Sequence, residues 1–575
     1  MVATELRSQT TVRLWQDELR SRRLPPFSTG PDSLFIAYLA SAEIGCFLEL
    51  GWPVPERILD LFVEFRAKTG GHAPAGHSLL GALTAHGLDS MAATEKEGMR
   101  QLAIRGGPWT DQERRDLLDY CQTDVDALAR LLPLMLPRID LPRALLRGRY
   151  MAAVARIERQ GLPVDRKLLE RIETNQVQLR QQLIDAVDPA YGIYEGASFN
   201  HAKFARYLVA NRIPWPKLAS GRLDTQDETF KDMAELYPQL NDLRQLRKTL
   251  SILGKSKLPV GHDSRNRSML GVFGQKSGRN NPRSSEFILT RPAWFRSLVQ
   301  APAGRAIAYV DWSQQEFGIA GALSGDQAMM DAYLSGDPYL SFAKLAGAAP
   351  PDATKASHPE VREQFKTCSL GVLFSMGQAT LAQRTGQPKI AARGLLNTHR
   401  EIFSKFWSWN DAAATRFAVR GQIQSVFGWP LRHGPKTTER SARNFPMQAA
   451  GADMMRLAAC LLTEAGIEVC APVHDAFLIE ADLADIEDVV AEAQRLMRQA
   501  SAVVLSGFEL ESDAVIYRHP ERYADKRGSE MFETVCKLLD TCPPAGATVS
   551  PADATCPPVG DSSSYQLSIH KSFNN

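Results

Sequence analysis

The chain has 575 residues, too long for one hydrophobic core, so about two to four domains are expected. A hydrophobic share of 44% and a charged share of 23% are those of a globular protein, and a net charge of +2 excludes a global polycation. The eight cysteines are scattered without a Cys-x-x-Cys, which argues against a zinc knuckle and a disulfide framework; no apolar run reaches the roughly 18 residues of a membrane helix, and no signal-peptide core opens the chain, so a cytoplasmic protein without a membrane partner is expected.

Residues 1–140 mix strand-like and helical segments. Val2–Trp15 alternates as a hairpin does, and Glu43 closes the run that starts at Ala37. Asp111–Leu136 reads as one long helix with Thr110 as its N-cap. Within it Tyr120 and Asp124 stand four residues apart, so a phenol and a carboxylate share a face; an ordinary exposed helix face would read the same way. Residues 141–260 are mainly helical, with amphipathic runs over Arg166–Val187 and Leu236–Leu253. A basic, polar segment from Lys255 to Arg283 follows, with Ser277, Gly278, Arg279 and Asn280 near its end. Arg and Asn interleaved with Gly suit phosphate contacts, because backbone amides can approach as well; solvated surface has the same composition.

Residues 300–525 alternate strands and helices. The apolar run Ala306–Val310 reads as a buried strand that delivers Asp311 at its end, followed by Trp312, Gln314, Gln315 and Glu316. Far downstream, His474 and Asp475 sit between two apolar runs, as in a tight hairpin. Taken singly, each aspartate is more simply a turn residue or a helix cap. Two strand-borne carboxylates that converge are what a pair of divalent cations needs for phosphoryl transfer. Between them, Arg362, Lys366, Leu370 and Phe374 recur every four residues and so share a slowly drifting helix face. The cations suit a triphosphate and the ring suits a base, although a helix with a charged first turn and a packed second half has the same spacing. Gly371 suits a close approach by a ligand or another backbone. Arg440, Asn444 and Gln448 form a second stripe whose groups could read minor-groove acceptors, and Pro446 is expected to bend it. After about residue 540 the chain is rich in Pro, Ser, Thr and Ala and reads as disordered.

In this order the segments resemble family A DNA polymerases, the class of bacterial DNA polymerase I, and most of all the shorter enzymes of phages and prophages. Asp311-Trp-Ser-Gln-Gln-Glu316 is similar to the family's first motif, usually Asp-Tyr-Ser-Gln-Ile-Glu. Arg362, Lys366, Leu370 and Phe374 resemble the fingers-helix motif, usually Arg, Lys, Phe and Tyr. Arg440, Asn444 and Gln448 match the palm helix that tracks primer–template DNA, Val473-His474-Asp475 matches the Val-His-Asp-Glu motif, and Ser277-Gly278-Arg279-Asn280 resembles the Thr-Gly-Arg segment. The resemblance covers roughly 140–525 and implies a multidomain α/β fold: a helical thumb at 141–275, palm at 276–320 and 431–527, fingers at 321–430, and a mostly disordered tail at 528–575. It also implies two Mg²⁺ ions held by Asp311 and Asp475 with the Trp312 carbonyl, phosphate contacts from Arg362 and Lys366, and pyrophosphate protonation by Lys366. Leu370, Phe374 and His474 would lie at the incoming dNTP. Glu316 would crowd the sugar 2′ position, and Arg279, Asn280, Arg440, Asn444 and Gln448 would touch primer–template DNA. A monomer is expected. Four positions depart from the family: Ala476 replaces the second carboxylate of the third motif, Leu370 and Phe374 replace Phe and Tyr, and Gly318 replaces an Arg.

Residues 1–140 resemble the ribonuclease-H-like 3′–5′ exonuclease domain that precedes such polymerases, in truncated form. Tyr120 and Asp124 match its third motif and Glu43 stands at its second. The Asp-x-Glu of the opening strand is absent, so the chain is expected to begin after that strand and to lack proofreading. Two alternatives are a catalytically decayed DNA-binding prophage relic and a single-subunit RNA polymerase; Glu316 argues against the latter.

Overall fold

The computed structural model describes residues 1–88, 93–253, 257–434 and 437–542. Lys255 and the chain beyond 542, where the disordered tail was expected, lie outside them. The chain divides into two compact units.

The first unit comprises residues 1–161, 268–282 and 304–516. Its centre is a four-stranded sheet in the order Glu468–Val473, Ala476–Asp482, Arg305–Trp312, Ser512–Arg518. The central strand is fully buried at Ala306, Ile307, Ala308 and Val310, and its partner is as deeply buried from Ala476 to Ile479. Strands covered on both faces carry such continuous apolar runs rather than an alternation. The 26-residue helix Glu439–Glu464 packs on helices Leu141–Gln160 and Ile486–Val504. Small residues at Ala449, Ala450, Gly451 and Ala452 let its neighbours come close, and the helix continues through Pro446.

At the N-terminus Val2–Thr4 and Thr11–Arg13 pair as the expected hairpin, in the register Val2 to Arg13. A short parallel pair, Phe35–Ala37 with Ile58–Asp60, follows. Asp60 is buried and accepts hydrogen bonds from the backbone amides of Leu39, Ala40, Phe62 and Val63, so one carboxylate ties two strand–helix junctions together. Helix Asp111–Met135 opens on the expected Thr110 cap, which receives Glu113 N–H while the Glu113 carboxylate accepts from Thr110 N–H.

The second unit comprises 162–267, 283–303 and the chain from Tyr517. Both long amphipathic runs are interrupted. Arg166–Val187 divides at Asn175, whose amide turns back to the Arg171 carbonyl. The run Leu236–Leu253 is helical only over Asn241–Leu253: Leu236 ends helix Asp227–Leu236, and Pro238 opens a 3-10 turn that cannot continue it. Helix Ser529–Asp540, inside the stretch expected to be tail, docks Met531, Val535 and Leu539 against Ala293–Leu298 and Gln176–Val187. Its apolar residues recur every four positions, which is a helical period.

Candidate active site

The sheet brings the two aspartates together. Asp311 stands in register with Ala476, the residue after Asp475, and Trp312 N–H lies 3.4 Å from the Asp475 carbonyl. His474 and Asp475 are the two turn residues between paired Val473 and Ala476. His474 has φ 57°, the left-handed value that a II′ hairpin needs at its first turn position and that glycine usually supplies. Gln314, just beyond the first aspartate, has φ 42°, and Ser375 has φ 56°. Residues strained in this way persist where the surrounding structure imposes them, and they cluster at functional sites.

Asp311 is half-buried, and its Oδ1 is enclosed without a hydrogen-bond partner. Burial, then the charges of Asp475 and Asp513, push its carboxyl up to about 7. An enclosed carboxylate oxygen beside a second carboxylate is the environment that a divalent cation relieves, so the donor set fits such an ion. Among the described residues no group of three or more His, Cys, Asp or Glu side chains has metal-binding geometry, and Ala476 is fully buried without a carboxylate to add.

The sequence reading missed Asp513. It lies on the strand next to Arg305–Trp312 and accepts a 2.6 Å hydrogen bond from Ser313 Oγ, while Ser313 N–H donates to the Glu511 carbonyl. No local pattern marks it, because its nearness to Asp311 depends on strand order alone.

Glu316 sits in the first turn of helix Gln315–Ser324, 3.8 Å from Arg279. Burial raises its carboxyl and Arg279 opposes the rise. Gln315 is buried, with its Nε2 unpartnered and its Oε1 over Gly451. At Gly318 an added Cβ would come within 2.5 Å of Leu510, so the missing Arg is replaced by close packing with Leu510 and Tyr333.

Helix Pro359–Leu373 carries the first stripe. Arg362, Lys366 and Leu370 form a half-exposed face, whereas Phe365, Cys368, Ser369 and Val372 are buried. Arg362 pairs with Asp337 at 2.5 Å and lies over the Tyr339 ring; Lys366 is 3.5 Å from Glu363. Phe374 is not within the helix but caps it. Gly371 does meet a close approach, by Met376 of its own chain. The second stripe reaches this helix end: Arg440 Nε donates to the Phe374 carbonyl, and Ser375 Oγ donates to Asn444 Oδ1. Gln448 is half-exposed two turns on. Asn280 is engaged by the buried Tyr150 hydroxyl at 2.8 Å.

The N-terminal candidates have separate neighbours. Glu43 is half-buried with Oε2 unpartnered, and burial pushes its carboxyl up to about 7, with Asp60 adding to the rise. Asp124 pairs with Lys96 at 2.8 Å, and the same ammonium lies over the Tyr120 ring.

Residues 286–514 match the family model described as DNA polymerase family A, a stretch that holds Asp311, Glu316, both stripes, Asp475 and Asp513. The chain is 31% identical over 220 residues to the thermostable DNA polymerase I of Thermus caldophilus, covering 36% of this chain and 26% of that protein. It therefore spans about a quarter of the length of that relative. It is 24% identical over 424 residues to DNA polymerase I of Aquifex aeolicus, covering 70% of this chain and 71% of that protein. A solved structure, the POL domain of Pol1 from M. smegmatis in complex with DNA primer-template and dNTP, shares the fold with a TM-score of 0.59 at 19% identity, over 84% of this chain and 85% of that one. Together with the ordered motifs, these matches make residues 286–514 of this chain similar to DNA polymerase family A.

Proposed function

We propose that the chain is a template-directed DNA polymerase that adds dNTPs to a primer 3′-hydroxyl. The observation that carries this reading is the Asp311–Asp475 pair, with Asp311 Oδ1 buried and unpartnered at the end of the central strand. When bound, two Mg²⁺ ions would lower the pKa of the 3′-hydroxyl and neutralise charge on the triphosphate and pyrophosphate. Asp311, Asp475 and the Trp312 carbonyl would hold them.

The chain's own residues do the rest. Lys366, on the half-exposed helix face, neutralises phosphate charge and can pass a proton to the leaving pyrophosphate. Arg362 contacts phosphate once it exchanges Asp337 for the ligand. Leu370 and Phe374 pack near the base and sugar, and His474 flanks the triphosphate. Glu316 crowds the sugar 2′ position, which favours deoxyribose. Arg279, Arg440, Asn444 and Gln448 track the primer–template, with a smaller part for Asn280 because Tyr150 occupies it. In this scheme 141–275 is the thumb, 276–320 and 431–527 the palm, 321–430 the fingers, and the enzyme acts as a monomer. Residues 1–140 are an exonuclease remnant without proofreading, a reading supported by the Lys96 ammonium on Asp124, where hydrolysis would need a metal.

Primer extension with Mg²⁺ tests the proposal. Asp311→Asn and Asp475→Asn should each slow extension by about 10³-fold or more, the weight of several kcal/mol of charge stabilisation, with DNA binding nearly unchanged. Normal extension by either variant refutes the assignment. Degradation of a 3′-labelled strand that is lost in Asp124→Ala would refute the loss of proofreading. Ala476 motivates a second reading, a decayed DNA-binding relic; absence of extension by the native protein, with duplex binding intact, would favour it.

A further inference from the structure

A second charged site lies in the first unit, away from the aspartates. The hairpin Gln422–Gln424 with Pro430–Arg432 faces helix Leu61–Thr69 and the turn Leu136–Arg138 across a cavity of about 350 Å³. That volume falls within the roughly 300–1,000 Å³ of ligand-sized cavities. Two glycines with positive φ let long cationic side chains cross its rim. A Cβ at Gly70 would lie 2.8 Å from Arg432 Cδ, and one at Gly428 would lie 2.8 Å from Arg143 Cδ.

Five cations and two carboxylates line the cavity, and both carboxylates are engaged. Glu64 holds Arg147 in a buried two-point pair at 2.6 and 2.7 Å. Asp140 pairs with Arg143 at 3.0 Å and caps helix Leu141–Gln160. Lys68, Arg138 and Arg432 remain, and none of the three has an ion pair with a carboxylate among the described residues. Lys68 Nζ donates to His86 Nε2 at 2.6 Å, and His86 Nδ1 lies 2.7 Å from the Ala82 carbonyl. Arg432 Nε is enclosed without a hydrogen-bond partner. Burial, and then the nearby charge of Arg138, lower the Lys68 ammonium below its ordinary value.

We propose that Lys68, Arg138 and Arg432 form a binding site for a phosphate group, carried either by the backbone of single-stranded DNA or by a free phosphate compound. Guanidinium forks and an ammonium converging on a partly enclosed space match a tetrahedral oxyanion, and the unpaired Arg432 Nε supplies a donor with no competing acceptor. The site uses no residue of the carboxylate pair, so it stands or falls apart from the polymerase reading.

The test uses the full chain without added metal. Lys68→Gln, Arg138→Gln, Arg432→Gln and the triple variant are compared with the native protein and with Arg138→Lys, which keeps the charge. Binding of a labelled single-stranded oligonucleotide is measured by fluorescence anisotropy across a salt series, and the thermal shift caused by inorganic pyrophosphate is measured beside it. If DNA is the source, the triple variant binds the oligonucleotide at least tenfold more weakly, and its salt slope falls by about 2, since each phosphate contact on a single strand contributes about 0.7. If a free phosphate compound is the source, the pyrophosphate shift disappears in the triple variant while DNA affinity holds. In either case Arg138→Lys keeps the native binding and shift. Equal affinities, slopes and shifts in the native protein and all the Gln variants overturn the proposal.

Discussion

At the scale of single residues, the chemistry of the site rests on how Asp311 is housed. Its folded-state value, about 7, lies above the ordinary 3.8, so the ionised form is disfavoured by folding. The group therefore subtracts stability as pH rises from about 4 to about 7, and a cation at the pair would return it. We expect Mg²⁺ to raise the melting temperature of the native protein more at pH 8 than at pH 5, and to have little effect on Asp311→Asn; equal shifts in the two proteins would count against a cation at this pair. Glu316 is the second residue whose neighbourhood is informative. If it selects the sugar, Glu316→Ala should improve ribonucleotide relative to deoxyribonucleotide incorporation by about 10–200-fold, the range that steric discrimination of one small group supplies. Asp311, Glu316 and Asp475 were legible as candidates because their motifs are local. Asp513 was not, and neither were the Asp337 and Tyr150 contacts of Arg362 and Asn280, because each joins residues far apart in the chain.

At the scale of elements, four-residue spacing translated directly into helix faces at Arg362–Leu370 and Arg440–Gln448, since the period is a property of the backbone. Boundaries were less legible. Pro238 and Asn175 break long amphipathic runs, whereas Pro446 does not end its helix, where Ala442, Phe445 and Met447 are buried around it. Gly148 shows how tertiary contact overrides propensity. In an open helix, alanine there would gain about 1 kcal/mol. Here an added Cβ would collide with the Ile58 carbonyl of the short parallel pair. Gly148→Ala should instead destabilise by about 1–3 kcal/mol, the usual cost of overpacking, as read by circular dichroism during denaturant unfolding. An unchanged or increased stability would show that the strand and helix are not held against each other.

At the scale of the whole molecule, the two units each draw on distant stretches of chain, and the second includes helix Ser529–Asp540, at the start of the stretch expected to be tail. Leu539 is buried in that helix, and its carbonyl accepts from Arg171. Leu539→Ala should cost about 2–5 kcal/mol, as a buried leucine truncation does, measured by hydrogen exchange across 166–187 and 529–540. Faster exchange confined to residues after 529 would mean that the helix does not brace its neighbours. The sequence by itself determined which residue types are available, the order of the motifs and the helical or extended character of the segments around them, because these follow from local chemistry and backbone period. Only the tertiary structure decided that Asp475 lies beside Asp311, that Asp513 joins them, and that Lys68, Arg138 and Arg432 meet across one cavity. Those meetings depend on strand order and on loop closures spanning hundreds of residues, which no local pattern encodes.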